Sequence, residues 1–255
     1  MRLRLIQRVQ TIFILLREVM DQVSFRRRLE NTIGLCESIN LSAVRNNSMR
    51  GRFITLEGVE GSGKTTNLEY LCETLEEKKV SFIKTREPGG TELAEAIREA
   101  MLAKWQEQVT GLTEVLLVFA AREQHLENVI RPNLEKGTWV VCDRFTDATF
   151  AYQGEARGVE TKIIESLEQW VQVGLYPDLT FFLDLPPEES ESRIAGREKD
   201  RMESENRDFF QKVRSGYIKR AKGHKRYCIL DASRPIEEVV SDLRDQLLNF
   251  IQENS

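Results

Sequence analysis

The chain has 255 residues, 40% apolar and 31% charged, which suffices for one substantial buried core and lies far from a disordered or fibrous composition. Its formal net charge of −4 argues against a nucleic-acid polymer as partner, and no apolar run approaches the length that spans a bilayer. Cys36, Cys72, Cys142 and Cys228 stand far apart and in no metal-ligand spacing, which argues against a zinc or disulfide framework and reads as reduced thiols of a cytoplasmic protein.

In chain order, residues 1–48 form a basic extension outside the core fold, with Arg2, Arg4, Arg8, Arg17, Arg26, Arg27, Arg28 and Arg45 against Glu18, Asp21, Glu30 and Glu37. Leu5, Ile6, Val9, Ile12, Phe13, Leu16 and Val19 recur at helical spacing, predicting an amphipathic helix up to about Leu29. Three readings compete: a membrane-surface or targeting helix, a regulatory element, or upstream sequence outside the working protein. The third is preferred, because Met49-Arg50-Gly51-Arg52-Phe53 would start a chain just before its first strand. Residues 49–255 then form one domain.

That first strand, Phe53 to Glu57, alternates apolar and polar residues and runs into Gly58-Val59-Glu60-Gly61-Ser62-Gly63-Lys64-Thr65-Thr66. The stretch fills G-x-x-x-x-G-K-S/T, and Leu68 and Leu71 behind it recur at helical spacing. Strand, glycine loop and helix together make a phosphate-binding P-loop: its N–H groups face one phosphate chain, and the helix adds its positive N-terminal end. Lys64 would reach the β- and γ-phosphates of ATP, and Thr65 offers a hydroxyl to magnesium.

The P-loop helix should run to about Lys78, followed by a strand from Val80 to Thr85 that ends in the turn Arg86-Glu87-Pro88-Gly89-Gly90-Thr91. Helical spacing covers Glu92 to Ala103 and Thr113 to about Leu134. A short buried strand, Trp139 to Cys142, closes on Asp143-Arg144, and a helix spans Thr161 to Val173. The strand Leu179 to Leu183 ends at Asp184, and Pro187 opens a helix that should stop around Gly196. Tyr227 to Leu230 is the last strand, leading through Asp231-Ala232-Ser233-Arg234 to a final helix from near Pro235. Strands separated by helices five times over imply an α/β fold with a parallel sheet covered on both faces. Ligands then sit beyond the carboxyl ends of the strands, where Gly58 to Thr66, Arg86 to Gly90, Asp143-Arg144, Asp184 and Asp231 to Arg234 collect.

The reaction is chosen downstream of the P-loop. A motor ATPase would end a strand in paired acids, one of them activating water, whereas here an acid stands beside Arg144, which suits gripping an anionic acceptor. Between two helices, Arg193, Arg197, Lys199 and Arg201 crowd around Gly196, as a hinged basic lid that neutralises a moving phosphoryl group and excludes water would require.

At these residues a resemblance becomes specific. GVEGSGKTT, TREPGGT, FAAR, CDRF followed by AYQG, DLTFFLDLPPE, DRMES and DAS together resemble the bacterial thymidylate kinases, in that family's order and spacing from Met49 onward. The first 48 residues have no counterpart in the family's usual pattern. The resemblance implies a P-loop NTPase fold with strand order 2-3-1-4-5, a short lid over about 193–206, a homodimer, and transfer of the ATP γ-phosphate to dTMP with Mg2+.

Position by position, Lys64 resembles the lysine that bridges the phosphates, Thr65 the magnesium ligand, and Glu60 the carboxylate that orients the acceptor side and its metal. Arg144 resembles the arginine on the acceptor phosphate, with Asp143 holding it or a metal-bound water. Arg86, Arg122 and Gln153 resemble the residues around dTMP, with Arg122 and Gln153 facing the pyrimidine edge and Thr149 and Tyr152 lining the sugar and base pocket. Arg193, Arg197 and Arg201 resemble the lid cations, and Asp231 to Arg234 the loop near adenine.

One position departs from the family: the aromatic residue usual one turn before the base-reading arginine is Val118 here, with Phe119 beside it. Adjacent helical residues point about 100° apart, so Phe119 is no automatic replacement. Two other readings stay open: a kinase of another nucleoside monophosphate, and a catalytically silent nucleotide-binding module.

Overall fold

The computed structural model describes residues 50–194, 196 and 200–254, within the compact unit Arg50–Ser255. The helix expected before Leu29 lies outside the described residues, as does Cys36.

The elements of this unit are β1 (Phe53–Gly58), α1 (Lys64–Glu77), β2 (Phe82–Arg86), α2 (Glu92–Leu102), α3 (Gly111–His125), α4 (Arg131–Glu135), β3 (Trp139–Asp143), α5 (Thr146–Thr149), α6 (Thr161–Gln172), β4 (Leu179–Asp184), α7 (Pro187–Arg193), α8 (Arg207–Ala221), β5 (Tyr227–Asp231) and α9 (Ile236–Glu253). The strands form one parallel sheet in the order β2-β3-β1-β4-β5, as the family resemblance implied. Alternation along β1 divides the core. Ile54 and Leu56 meet Leu71 and Leu75 of α1 and Leu243 and Leu247 of α9 on one face, while Phe53 meets Leu126, Ile130 and Leu134 on the other. Each such buried side chain contributes about 1.5–3 kcal/mol, so the sheet is clamped from both sides at its centre, where the P-loop leaves β1.

Where the elements differ from expectation, the backbone supplies the reason. Val80 does not open β2, because its N–H closes the end of α1 on the Leu75 carbonyl, after Lys79 has turned to φ 57°. The helix expected through Leu134 widens into a π turn over Leu126–Ile130 before α4. Pro132 explains the break: it offers no N–H to the carbonyl of Asn128, and its ring crowds that carbonyl. A second π turn, Phe150–Ala156, follows α5 and carries Tyr152 and Gln153. The helix after the segment expected to form a lid begins at Arg207, where the Asn206 side chain accepts from the Phe209 N–H at 2.9 Å. Among the described residues, no helix is long and apolar enough to cross a membrane.

Candidate active site

The loop between β1 and α1 folds back on itself. A Cβ at Gly58, whose φ is 151°, would stand 2.7 Å from Ser62 Oγ and 2.9 Å from the Leu183 carbonyl, so only glycine lets the loop lie this close to β4. Helix α7 holds the loop from outside: Ser190 Oγ donates to the Glu60 carbonyl at 2.7 Å, and Arg193 Nη1 to the Gly61 carbonyl at 3.3 Å. Lys64 is buried, its ammonium donating to the Val59 carbonyl at 2.9 Å and lying 3.6 Å from Glu60. Burial, with the Arg144 charge behind it, lowers its pKa from the usual lysine range. Thr65 and Thr66 stand exposed at the rim.

Arg144, held at φ 68°, is fixed from three sides. It donates to the Gly58 carbonyl at 2.7 Å, to Tyr217 Oη at 3.1 Å and to Glu60 Oε1 at 2.5 Å. The Tyr217 hydroxyl donates in turn to Glu57 Oε2 at 2.8 Å, and Glu57 Oε1 accepts from the Phe145 N–H. Arg144 is thus tied to the chain on both sides of the P-loop's first glycine, to Glu60 directly and to Glu57 through Tyr217.

Two clefts open from this rim. The first follows the P-loop, from Glu60 to Thr66, past Asp143, Arg86, Arg98, Arg144 and Arg193. The second is lined by Val118, Arg122, Phe145, Thr149, Tyr152 and Gln153, together with Met101 and Met202. Glu60, Glu87, Arg98 and Arg144 belong to both, so the clefts meet along a charged seam. A third hollow, between Ser62, Arg193 and Ala232 to Ile236, lies beyond the P-loop at the end of β5.

In the second cleft, Arg122 is fully buried. Its Nε donates to Glu87 at 2.8 Å and Nη2 to Thr149 Oγ1 at 3.0 Å, leaving Nη1 without a partner among the described residues. Phe119 sits against that guanidinium at 4.8 Å and does not line the cleft; Val118 does. Gln153 Nε2 donates to Glu114 Oε2 at 3.0 Å, and the Tyr152 hydroxyl is buried with no partner. Burial pushes the Tyr152 pKa up to about 12.

Most residues singled out in the sequence thus converge on the two clefts, with three differences. Arg86 lines the P-loop cleft rather than the second one, and is paired with Glu95 at 2.7 Å. Arg201, expected beside Arg193 among the lid cations, turns the other way: Nε donates to the Met101 carbonyl at 2.9 Å and Nη1 to Glu114 at 2.6 Å. Glu60 faces two cations, Arg144 and Lys64, where an open metal ligand was expected. Arg197 lies outside the described residues.

Sequence reasoning missed Arg98, which reaches both clefts, because a basic residue in an amphipathic helix carries no signal of its own. Glu87 stood inside the TREPGGT turn without a role; here it clamps Arg122 and, at 3.1 Å, His125. Glu114, in the first turn of α3, was given no role by the sequence; here it is buried.

The family model for thymidylate kinase matches residues 56–243. A thymidylate kinase of Pseudomonas putida (strain GB-1) is 53% identical over 207 residues, which cover 80% of this chain and 98% of that protein. Those of Marinomonas sp. (strain MWYL1) and Cupriavidus necator are 49% identical over 201 residues and 47% over 207, covering 78% and 80% of this chain and 95% and 98% of the relatives.

Proposed function

The chain belongs to the thymidylate kinase family, and on that basis we propose how it transfers the γ-phosphate of ATP to dTMP, giving dTDP and ADP. The observation that carries the reading is the charged seam: a phosphate-binding cleft and a base-sized cleft share Glu60, Arg98 and Arg144 at the place where donor and acceptor phosphates would meet. A silent nucleotide-binding module would have no use for a second cleft joined to the first through two arginines.

ATP fits the P-loop side. Ser62 Oγ and Asp143 Oδ1 are buried without partners there, and the hollow beside Ala232 to Ile236 extends the cleft by a space suited to adenine. Lys64 exchanges the Val59 carbonyl for β- and γ-phosphate oxygens, and Arg193 adds charge from α7. dTMP enters the second cleft with its phosphate toward Arg144 and Arg98 and its base toward Arg122 and Gln153. Arg144 is pre-oriented by Glu60, Tyr217 and Gly58, so little reorganisation accompanies acceptor binding.

Among the described residues, no group of three or more His, Cys, Asp or Glu could hold a metal alone. Thr65 and Asp143, whose buried Oδ1 has no partner among the described residues, would hold Mg2+, with phosphates and water completing its shell. Bound there, the ion would supply charge neutralisation for the phosphoryl group in transfer.

The same reading includes a homodimer, for which Leu93 of α2 and Leu112 and Leu116 of α3 are exposed apolar residues on neighbouring helices, and work in the cytoplasm. Replacing Lys64 by alanine tests the catalytic assignment. Turnover should fall by about 10²-fold or more with the thermal midpoint held or raised, since a buried cation is removed. Turnover near wild type in Lys64→Ala would contradict it.

A further inference from the structure

Glu114 plays no part in the transfer just described, yet it is fully buried at the edge of the second cleft with more donors around it than any core glutamate needs for packing. Arg201 Nη1 donates to its Oε1 at 2.6 Å and Arg157 Nη2 lies 3.2 Å from the same oxygen, while Gln153 Nε2 at 3.0 Å and Arg157 Nε at 3.3 Å both donate to Oε2. We infer that Glu114 is a specificity-determining residue: it fixes which end of the Gln153 amide faces the cleft, and so which base edge the cleft accepts. The inference rests on the cleft being the acceptor's.

A carboxylate between two guanidinium groups accepts hydrogen bonds and donates none. The amide of Gln153 must therefore turn its NH2 to Glu114, whatever else surrounds it, and this leaves its carbonyl oxygen for the cleft. Arg122, held by Glu87 and Thr149, offers the cleft an unpartnered Nη1, which can only donate. The wall thus presents one donor and one acceptor. Thymine and uracil carry the matching pair, an O4 that accepts and an N3–H that donates. Cytosine carries the inverse, an N4 amino donor and an N3 acceptor, and meets donor with donor and acceptor with acceptor. A mismatch of that kind leaves buried polar groups unpaired, which makes it costly.

Arg201 and Arg157 give the arrangement its direction. If Glu114 became glutamine, its carbonyl oxygen would keep the Oε1 position, which takes the closer arginine contacts at 2.6 and 3.2 Å, and the new NH2 would take the Oε2 position toward Gln153, where Arg157 Nε stands farther off at 3.3 Å. Gln153 would then turn its carbonyl toward residue 114 and its NH2 into the cleft, which suits the N3 of cytosine. Glu114 acts through Gln153 and touches no substrate, so it is a positioning residue. Because Arg201 comes from the DRMES segment, the polarity of the base site is held in part by the lid region.

The test is the ratio of kcat/KM for dTMP to that for dCMP, measured with ATP and magnesium on the full chain and on Glu114→Gln. The wild-type ratio should drop at least about fivefold in the variant, through a higher KM for dTMP and a lower one for dCMP. The exchanged pair Glu114→Gln with Gln153→Glu, which returns an obligate acceptor to the cleft, should recover part of the ratio. A ratio within about twofold of wild type in a folded Glu114→Gln overturns the inference. Should that variant not fold, Gln153→Met decides in the same assay: a lost preference supports the reading of the amide, and an unchanged one overturns it. If the wild type itself fails to turn over dTMP, the proposed function falls instead, so the two failures are told apart.

Discussion

At the scale of single residues, the site is built from charges whose partners are fixed before any substrate arrives. Glu57 shows the consequence most sharply, lying under the P-loop with Tyr217 and the Phe145 N–H on its two oxygens. Burial, with the charge of Asp147 adding to it, pushes its pKa up to about 8, against the pull of Arg144. A carboxyl raised on folding keeps its proton in the native state where the unfolded chain has already released it. Its contribution to stability is therefore full below the ordinary carboxylate range and is lost as pH rises through about 8. Glu57→Gln should flatten that decline, read as the difference between thermal midpoints at about pH 5 and about pH 9. An equally steep decline in the variant would assign it to other groups. Val118 marks what one residue can leave legible in a sequence. Its offset from Phe119 on the helix is visible from spacing alone, and the structure keeps Phe119 against Arg122 outside the cleft. By contrast, nothing in the sequence shows that Arg201 turns to Glu114, because that depends on tertiary contacts of Arg201 with the Met101 carbonyl of α2 and with Glu114 of α3.

At the scale of elements, two connections position the chemistry: β1 into α1, and β3 into α5. The first was legible because its geometry is written in glycines. Gly58→Ala would place a methyl group against Ser62 Oγ and the Leu183 carbonyl at a φ of 151°. It should cost about 2 kcal/mol or more in urea unfolding and weaken ATP binding. Wild-type values for both would show that the loop does not need its close approach to β4. The π turns were not legible, since a widened turn keeps the apolar spacing of a helix over most of its length. Their effect is nonetheless local to function: the turn over Phe150–Ala156 follows directly on Thr149, which bonds Arg122, and carries Gln153, which meets Glu114. The bounds of helix α8 are not legible either, although Asn206 caps it and Phe209, Phe210, Val213 and Tyr217 give it a buried face. Charged residues interleaved with that face, and the basic segment before it, mask the period.

At the scale of the whole molecule, the parallel sheet followed from strands alternating with helices and its order from the family resemblance, and the strand ends gather at one rim as that topology requires. The proposed dimer belongs to this scale as well. Sedimentation of the full chain should return twice the mass of 29.5 kDa, and a monomer at micromolar concentration would contradict it. What the two clefts do together is tested by a coupled ADP-release assay on the purified full-length chain, with ATP and magnesium, across dTMP, dUMP, dCMP, dGMP and AMP. Acceptor dTMP should lead. It should exceed dUMP by about tenfold, the discrimination that one methyl group yields, and dCMP and the purine nucleotides by more. Equal or faster turnover of a purine monophosphate, or no turnover of dTMP, would contradict the joint donor and acceptor roles of the clefts.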